Sequence, residues 1–315
     1  MRRRWPRRLL VTAFVLLLLA VVGATWFTHR LMVEVLSGRA FAAPEAAEIT
    51  DPLTLGYRGD PSRALGLPFT ELTVDTPLGP APAWLVPGAE QAQLGAIFVH
   101  GIGGAREDGY AYLRELHAAG LPTLLITYRN DAGAPAAPDG LRSFGLTEWQ
   151  DLEAAMIALQ AQGVQKVVLV GASMGGGIIG QFLARSDLAA DVAAVVLDAP
   201  ALDFPMVLAH VTDRLGLPLR SLGTRLALPA FALTHGANLG QAQVIPVLAA
   251  FPGPVLLFHG SADRIVPKET SFALLAARQG QTTFLHTRGD HLQSRAAEPA
   301  RFSALLAGFL AALPR

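Results

Sequence analysis

A serine framed by glycines, Gly171-Ala172-Ser173-Met174-Gly175, sits where the apolar run Val167-Val168-Leu169-Val170 passes into a helical stretch. A strand-to-helix turn sharp enough to expose a serine hydroxyl leaves no room for side chains two positions to either side, which accounts for Gly171 and Gly175. The chemistry this suggests is nucleophilic attack by Ser173 on a carbonyl carbon. The motif is weak by itself, and its position between strand and helix is what makes it informative. A second glycine-rich turn, His100-Gly101-Ile102-Gly103-Gly104, follows another apolar run. Backbone N–H groups in such a turn can face a developing oxyanion. The N–H groups of Ile102 and Met174 are the expected donors, with His100, Gly101, Gly103, Gly171 and Gly175 shaping the turns around them. A glycine-rich turn after a strand can equally be only a turn.

A serine hydroxyl needs a base, and the base needs an acid to orient it. Of eight histidines, His291 is best placed, in Thr287-Arg288-Gly289-Asp290-His291, after the last apolar run and before the final helical one. His100 and His259 end strands and precede glycine, positions suited to satisfying loop backbone groups. His29, His117, His210, His235 and His286 have no motif around them. The favoured acid is Asp263, in His259-Gly260-Ser261-Ala262-Asp263-Arg264-Ile265-Val266-Pro267, with Asp198, Asp203 and Asp290 as rivals. There is no His-Glu-x-x-His and the histidines form no ligand set, so neither a metal nor a cofactor is expected.

The elements that must position these residues alternate along the chain. Short apolar runs at 69–75, 83–86, 96–100, 123–128, 166–171, 194–198, 255–259 and 282–286 read as strands. Unbroken apolar strands are buried on both faces, as in a parallel sheet covered by helices. Helical stretches at 107–119, 147–162, 176–185, 268–278 and 295–312 lie between or after them, with Thr147 as a cap and Gly163 as a stop. The alternation predicts an α/β fold with an antiparallel start. Residues 203–250 break the rhythm as short helices interrupted by Pro218, Pro229 and Pro246. A stretch of that length reads as a helical cap over a site, or as an extra packing layer.

The amino terminus has a separate character. From Leu9 to Thr28 there are twenty residues without a charge, preceded by Arg2, Arg3, Arg4, Arg7 and Arg8. Twenty helical residues cover about 30 Å, the thickness of a bilayer's hydrocarbon core. The arginines favour a cytoplasmic N-terminus and a body outside the cytoplasm, and Trp5, Trp26 and Phe27 stand at interfacial levels. Val22-Gly23-Ala24 and Ala40-Phe41-Ala42 offer cleavage sites for the competing reading, a signal peptide and a secreted body. The apolar stretch is longer than an ordinary signal core, which favours an anchor. Without the five arginines the chain holds 20 basic against 25 acidic residues, so no nucleic-acid partner is expected. The absence of cysteine excludes disulfides, cysteine zinc sites, thiol nucleophiles and lipidated-cysteine anchors.

The four segments around His100, Ser173, Asp263 and His291, in that order and at strand ends, resemble the α/β-hydrolase superfamily from about residue 69 to the end. Within it the chain is similar to the branch of serine aminopeptidase-like and monoglyceride-lipase-like hydrolases. The resemblance implies an eight-stranded, mostly parallel sheet with flanking helices, a Ser173-Asp263-His291 triad and a cap inserted after the sixth strand. Aminopeptidase relatives usually hold the substrate amine with cap acids, whereas residues 204–250 contain one acid, Asp213, against Arg214, Arg220 and Arg225. That departure leaves carboxylic esters ahead, lipid-derived acyl esters included. The implied partners are a small-molecule acyl substrate and the membrane. An amidase, a thioesterase or a noncatalytic tethered binding module would share the fold. The expected organisation is a basic stub (1–8), an anchor (9–28), a tether (29–65) holding a short helix near 30–36, and the hydrolase domain (66–315). Removal of residues 1–30 is then expected to leave a soluble, active domain.

Overall fold

Eight strands, the central ones rich in Val, Leu, Ile and Ala, form one sheet in the computed structural model, which describes residues 5–41 and 49–314. Arg2, Arg3 and Arg4 of the basic stub lie outside the described residues. The strands are β1 (Thr70–Thr76), β2 (Gly79–Val86), β3 (Leu94–Val99), β4 (Thr123–Ile126), β5 (Lys166–Ala172), β6 (Val192–Asp198), β7 (Val255–Gly260) and β8 (Thr282–Thr287). Their order across the sheet is β1-β2-β4-β3-β5-β6-β7-β8. β2 runs antiparallel to both β1 and β4, and every later pairing is parallel.

The helices are α1 (Trp5–Leu36), α2 (Pro61–Leu65), α3 (Tyr110–Ala118), α4 (Trp149–Gln160), α5 (Met174–Arg185), α6 (Phe204–Arg214), α7 (Arg220–His235), α8 (Ile245–Ala250), α9 (Glu269–Ala277), α10 (Ser294–Ala297) and α11 (Pro299–Ala311). The central strands β3 to β7 are buried on both faces, and alternation along β5 makes this concrete. Val167 and Leu169 pack with α4 and α5, while Val168 and Val170 join the core beneath α3 and α11. The expected final helix is split, because Glu298 precedes Pro299 and adopts an extended φ of −140°. Thr147 does not cap α4, whose N-cap residue is Glu148. Pro229 sits inside α7 without ending it.

The amino-terminal region differs most from expectation. α1 continues eight residues past Thr28, so the helix expected near 30–36 is present but continuous with α1, not a separate element of a tether. Nothing between Trp26 and Leu36 breaks a helix, since Gly and Pro are absent. Residues 21, 24, 25, 28, 32 and 36 form the shielded stripe, and Met32 and Leu36 are fully buried in the core with Ala227 and Phe231 of α7. The rest of the apolar stretch is exposed, including Leu10, Phe14, Leu16 and Leu19.

Candidate active site

The turn from β5 into α5 holds Ser173 at φ 53° and ψ −118°, a conformation strained for any residue with a side chain. Surrounding backbone holds it there: the Ser173 N–H donates to the Asp198 carbonyl at 2.9 Å and its own carbonyl accepts from Ala201 at 3.0 Å. The turn is tight. A Cβ on Gly175 would collide with the Val99 carbonyl, and one on Gly101 would stand 2.8 Å from the Ser173 Cβ.

The loops after β7 and β8 bring the other two candidates to this serine. His291 Nε2 lies 3.0 Å from Ser173 Oγ, and His291 Nδ1 lies 2.8 Å from Asp263 Oδ2. Asp263 Oδ1 accepts the N–H groups of Ile265 and Val266 at 2.8 and 2.9 Å. Burial alone would raise the Asp263 carboxyl. Hydrogen bonds from His259 and His291 outweigh it and hold the group well below the usual carboxylate range. An ionised carboxylate at Nδ1 requires the proton there, which leaves Nε2 free to accept the serine proton.

The rival carboxylates are engaged elsewhere. Asp290 Oδ2 accepts from Arg264 Nε at 2.7 Å, and Asp203 caps α6 through the Met206 N–H at 2.9 Å. Asp198 is buried under the elbow and accepts the Tyr112 hydroxyl at 2.9 Å. Burial pushes its pKa up to about 6. His259 does satisfy a loop carbonyl, that of Val266 at 3.2 Å, and its Nε2 also lies 3.3 Å from Asp263 Oδ2.

On the opposite side of Ser173 stands the His100–Gly104 turn. Met174 opens α5, so its N–H is one of the unsatisfied donors of a helix start. Neither it nor the Ile102 N–H has an acceptor among the described residues. Beneath the turn His100 is fully buried, with Nδ1 2.8 Å from the Gly101 carbonyl and Nε2 2.8 Å from Asp131 Oδ2. Burial opposes charge on this ring, but the Asp131 carboxylate and the Gly101 carbonyl prevail and raise its pKa. Tyr128 stacks on it at 4.3 Å, and Arg142 holds Asp131 Oδ1 at 2.9 Å. Sequence reasoning missed Tyr128, Asp131 and Arg142. Their one signal is a cluster of charge just past the carboxyl end of β4.

A pocket of about 180 Å³ opens above Ser173 and His291. Its walls are the Gly101–Gly104 turn, Ile265, Leu292 and, from the expected tether, Phe41, Leu55, Gly56 and Arg58. Its lining includes no residue of 203–250. The insertion, expected as a cap or as an extra packing layer, contacts α1 through α7 and contacts α5 and α9 through α8, with close approaches at Gly223 and Val244. A neighbouring pocket of about 540 Å³ shares Leu55, Asp108 and Leu292 with the first.

This sheet order and elbow define an α/β hydrolase, and the chain belongs to the Alpha/beta hydrolase family, whose model matches residues 96–305. Its fold is that of the Pyrococcus furiosus esterase Pf2001, with TM-score 0.62 and 16% identity over 82% of this chain and 98% of that one. A thermophilic esterase from Thermogutta terrifontis with malate bound superposes at TM-score 0.55 and 18% identity, over 77% of this chain and 98% of that one. The acylaminoacyl peptidase of Pyrococcus horikoshii superposes at 0.58 and 14%, over 78% of this chain but 41% of that one. The chain has no match among curated proteins.

Proposed function

We propose that the protein is a membrane-anchored serine hydrolase of carboxylic esters, with lipid-derived acyl esters among its substrates. The observation that carries this reading is the continuous hydrogen-bonded path from Ser173 Oγ through His291 to Asp263, opening into a pocket. His291 Nε2 takes the Ser173 proton as Oγ attacks the carbonyl carbon, and the N–H groups of Ile102 and Met174 receive the oxyanion. Asp263 stabilises the imidazolium. His291 then returns the proton to the departing alkoxide, leaving an acyl-serine that water hydrolyses by the same steps. His100, Gly101, Gly103, Gly171 and Gly175 shape the two turns.

Three features support the substrate and the location. The single acid of residues 204–250, Asp213, is paired with Arg220, so the insertion offers no free carboxylate for a peptide amine. The exposed apolar face of α1 suits lipid, with the arginine-rich end cytoplasmic and the hydrolase domain outside. α1 runs about 12 Å past its charge-free stretch, and Phe41 of the pocket wall follows five residues later. That keeps the pocket near the bilayer surface.

The test is hydrolysis of short- and long-chain p-nitrophenyl esters by the full chain in lipid nanodiscs, beside Ser173→Ala. Loss of the nucleophile is expected to lower turnover on the order of 10⁶-fold. A folded wild-type protein inert toward esters, thioesters and amides would overturn the proposal.

A further inference from the structure

We propose that the insertion between β6 and β7 is a second membrane contact, in which Leu219, Leu222 and Leu226 at the start of α7 enter the same leaflet that α1 leaves. This rests on reading α1 as an anchor. The two helices meet at a defined axial level. A Cβ on Gly223 would lie 3.2 Å from both the Ala24 carbonyl oxygen and Thr28 Oγ1, so α7 crosses α1 at the last turns of the charge-free stretch 9–28. Small residues on both sides, Gly223 against Ala24 and Thr28, are what permit so close a crossing. Further along, His29 Nε2 lies 3.0 Å from Thr234 Oγ1. α7 therefore begins beside the membrane end of α1 and runs on past it.

Leu219, Leu222 and Leu226 stand within four residues of Gly223, about 6 Å along the helix, and so share its level. At 38%, 40% and 40% exposure their side chains are partly covered by protein and partly open. At the same level α1 exposes Val22, Trp26 and Phe27, so open apolar side chains stand on both helices where they cross. Open apolar side chains grouped in this way call for an apolar environment, and on the anchor reading the environment of this level of α1 is lipid. The charges agree. Arg214, Arg220 and Arg225 flank the leucines and are exposed, with Asp213 as the lone acid among residues 204–250. An apolar face bordered by arginines is the composition of a helix lying in a headgroup region.

The cysteine-free chain allows a direct test. Single cysteines replace Leu222 or Leu226, with Leu16→Cys in the exposed part of α1 as a lipid reference and Ile157→Cys on α4 as a water reference. Each full-length variant carries a nitroxide and is reconstituted in phosphatidylcholine–phosphatidylglycerol vesicles. Collisions with oxygen and with a water-soluble nickel chelate are compared, and hydrolysis of a soluble ester reports the fold. At 222 and 226 the expected oxygen-to-nickel ratio matches that at 16 and exceeds that at 157 several-fold. A lipid-like ratio at 16 with water-like ratios at 222 and 226 overturns this proposal and leaves the anchor standing. A water-like ratio at 16 overturns the anchor and the proposal together.

Discussion

Asp131 holds the Nε2 edge of the buried His100 ring at 2.8 Å while the Gly101 carbonyl meets its Nδ1 edge at the same distance, so both ring nitrogens face acceptors. Such a ring is best satisfied as an imidazolium, placing a fixed positive charge under the turn assigned to the oxyanion. Asp131→Asn is expected to lower kcat/KM by 10–100-fold and to destabilise the protein by about 3 kcal/mol, the usual result of leaving a buried charge without its partner. The pH dependence has a definite sign. His100 is raised in the folded state, so its contribution is complete below the unfolded value of 6.5 and is lost as pH rises through the folded value. Asp131 is lowered, so its contribution is complete above 3.8 and is lost in acid. The gap in Tm between wild type and Asp131→Asn should be widest between about pH 4 and 6.5 and narrow on the alkaline side. A gap that stays constant up to pH 9 would mean His100 is neutral.

Asp263→Asn is expected to lower kcat by about 10⁴-fold with little change in KM, because an amide at this position favours the wrong tautomer of His291. Circular dichroism should be unchanged. If the Asn variant keeps wild-type turnover, the orienting acid is another carboxylate, and Asp198→Asn becomes the variant to assay.

Much of this arrangement was legible along the chain because parallel strands covered on both faces are unbroken apolar runs. Lys166 opens β5 as expected, and the Gly171–Gly175 elbow follows it. Helix near 30–36 was legible, but its continuity with α1 was not, because His29, Arg30 and Glu34 end the hydropathy signal where helix propensity does not end. The Asp131–His100 pair joins residues 31 positions apart, a relationship carried by the crossing from β3 to β4 and by no local spacing. The placement of 203–250 was illegible for a related reason. A run of Leu, Ala and Pro reads as an apolar-faced insertion, but what it covers depends on where α1 docks, and α1 is distant in sequence.

Asp198 supplies a pH effect of opposite origin. Burial raises its carboxyl to about 6 from 3.8, so the folded state prefers the proton. Stability from this group is complete below 3.8 and is lost as pH rises through 6, a loss of about 3 kcal/mol for a shift near two units. Asp198→Asn is therefore expected to raise Tm above pH 7 and to converge with wild type below pH 4. Thermal melts across that range decide the matter, and a Tm difference independent of pH would contradict the assignment.

Phe41 and Leu55 form the pocket wall that the insertion does not. Phe41→Ala should widen the pocket beside Gly103 and raise kcat/KM for long-chain over short-chain esters by about tenfold, on the scale of a few methylene contacts. Activity on acetate esters should change little. An unaltered chain-length profile would place the acyl chain elsewhere, with the larger cavity bounded by Leu53 and Leu292 as the natural alternative.

Two truncations separate the exposed part of α1 from the part that packs on the body. The shielded stripe starts at residue 21 and includes the fully covered Thr28. Removing residues 1–20 takes away most of the exposed apolar side chains of α1 and leaves that stripe in place, so the product should be active and stay dispersed in mild detergent. Removing residues 1–30 strips Ala24 from Gly223 and His29 from Phe231, whose ring centroids are 5.6 Å apart. It thereby opens the core around Ala227 and Phe231. Burial of a large apolar side chain is worth about 1.5–3 kcal/mol, so the shorter protein should melt several degrees lower and aggregate in size-exclusion chromatography. This reverses the expectation drawn from hydropathy alone, in which residue 30 is a harmless boundary. Equal melting temperatures for the two truncations would return α1 to the role of a simple tether.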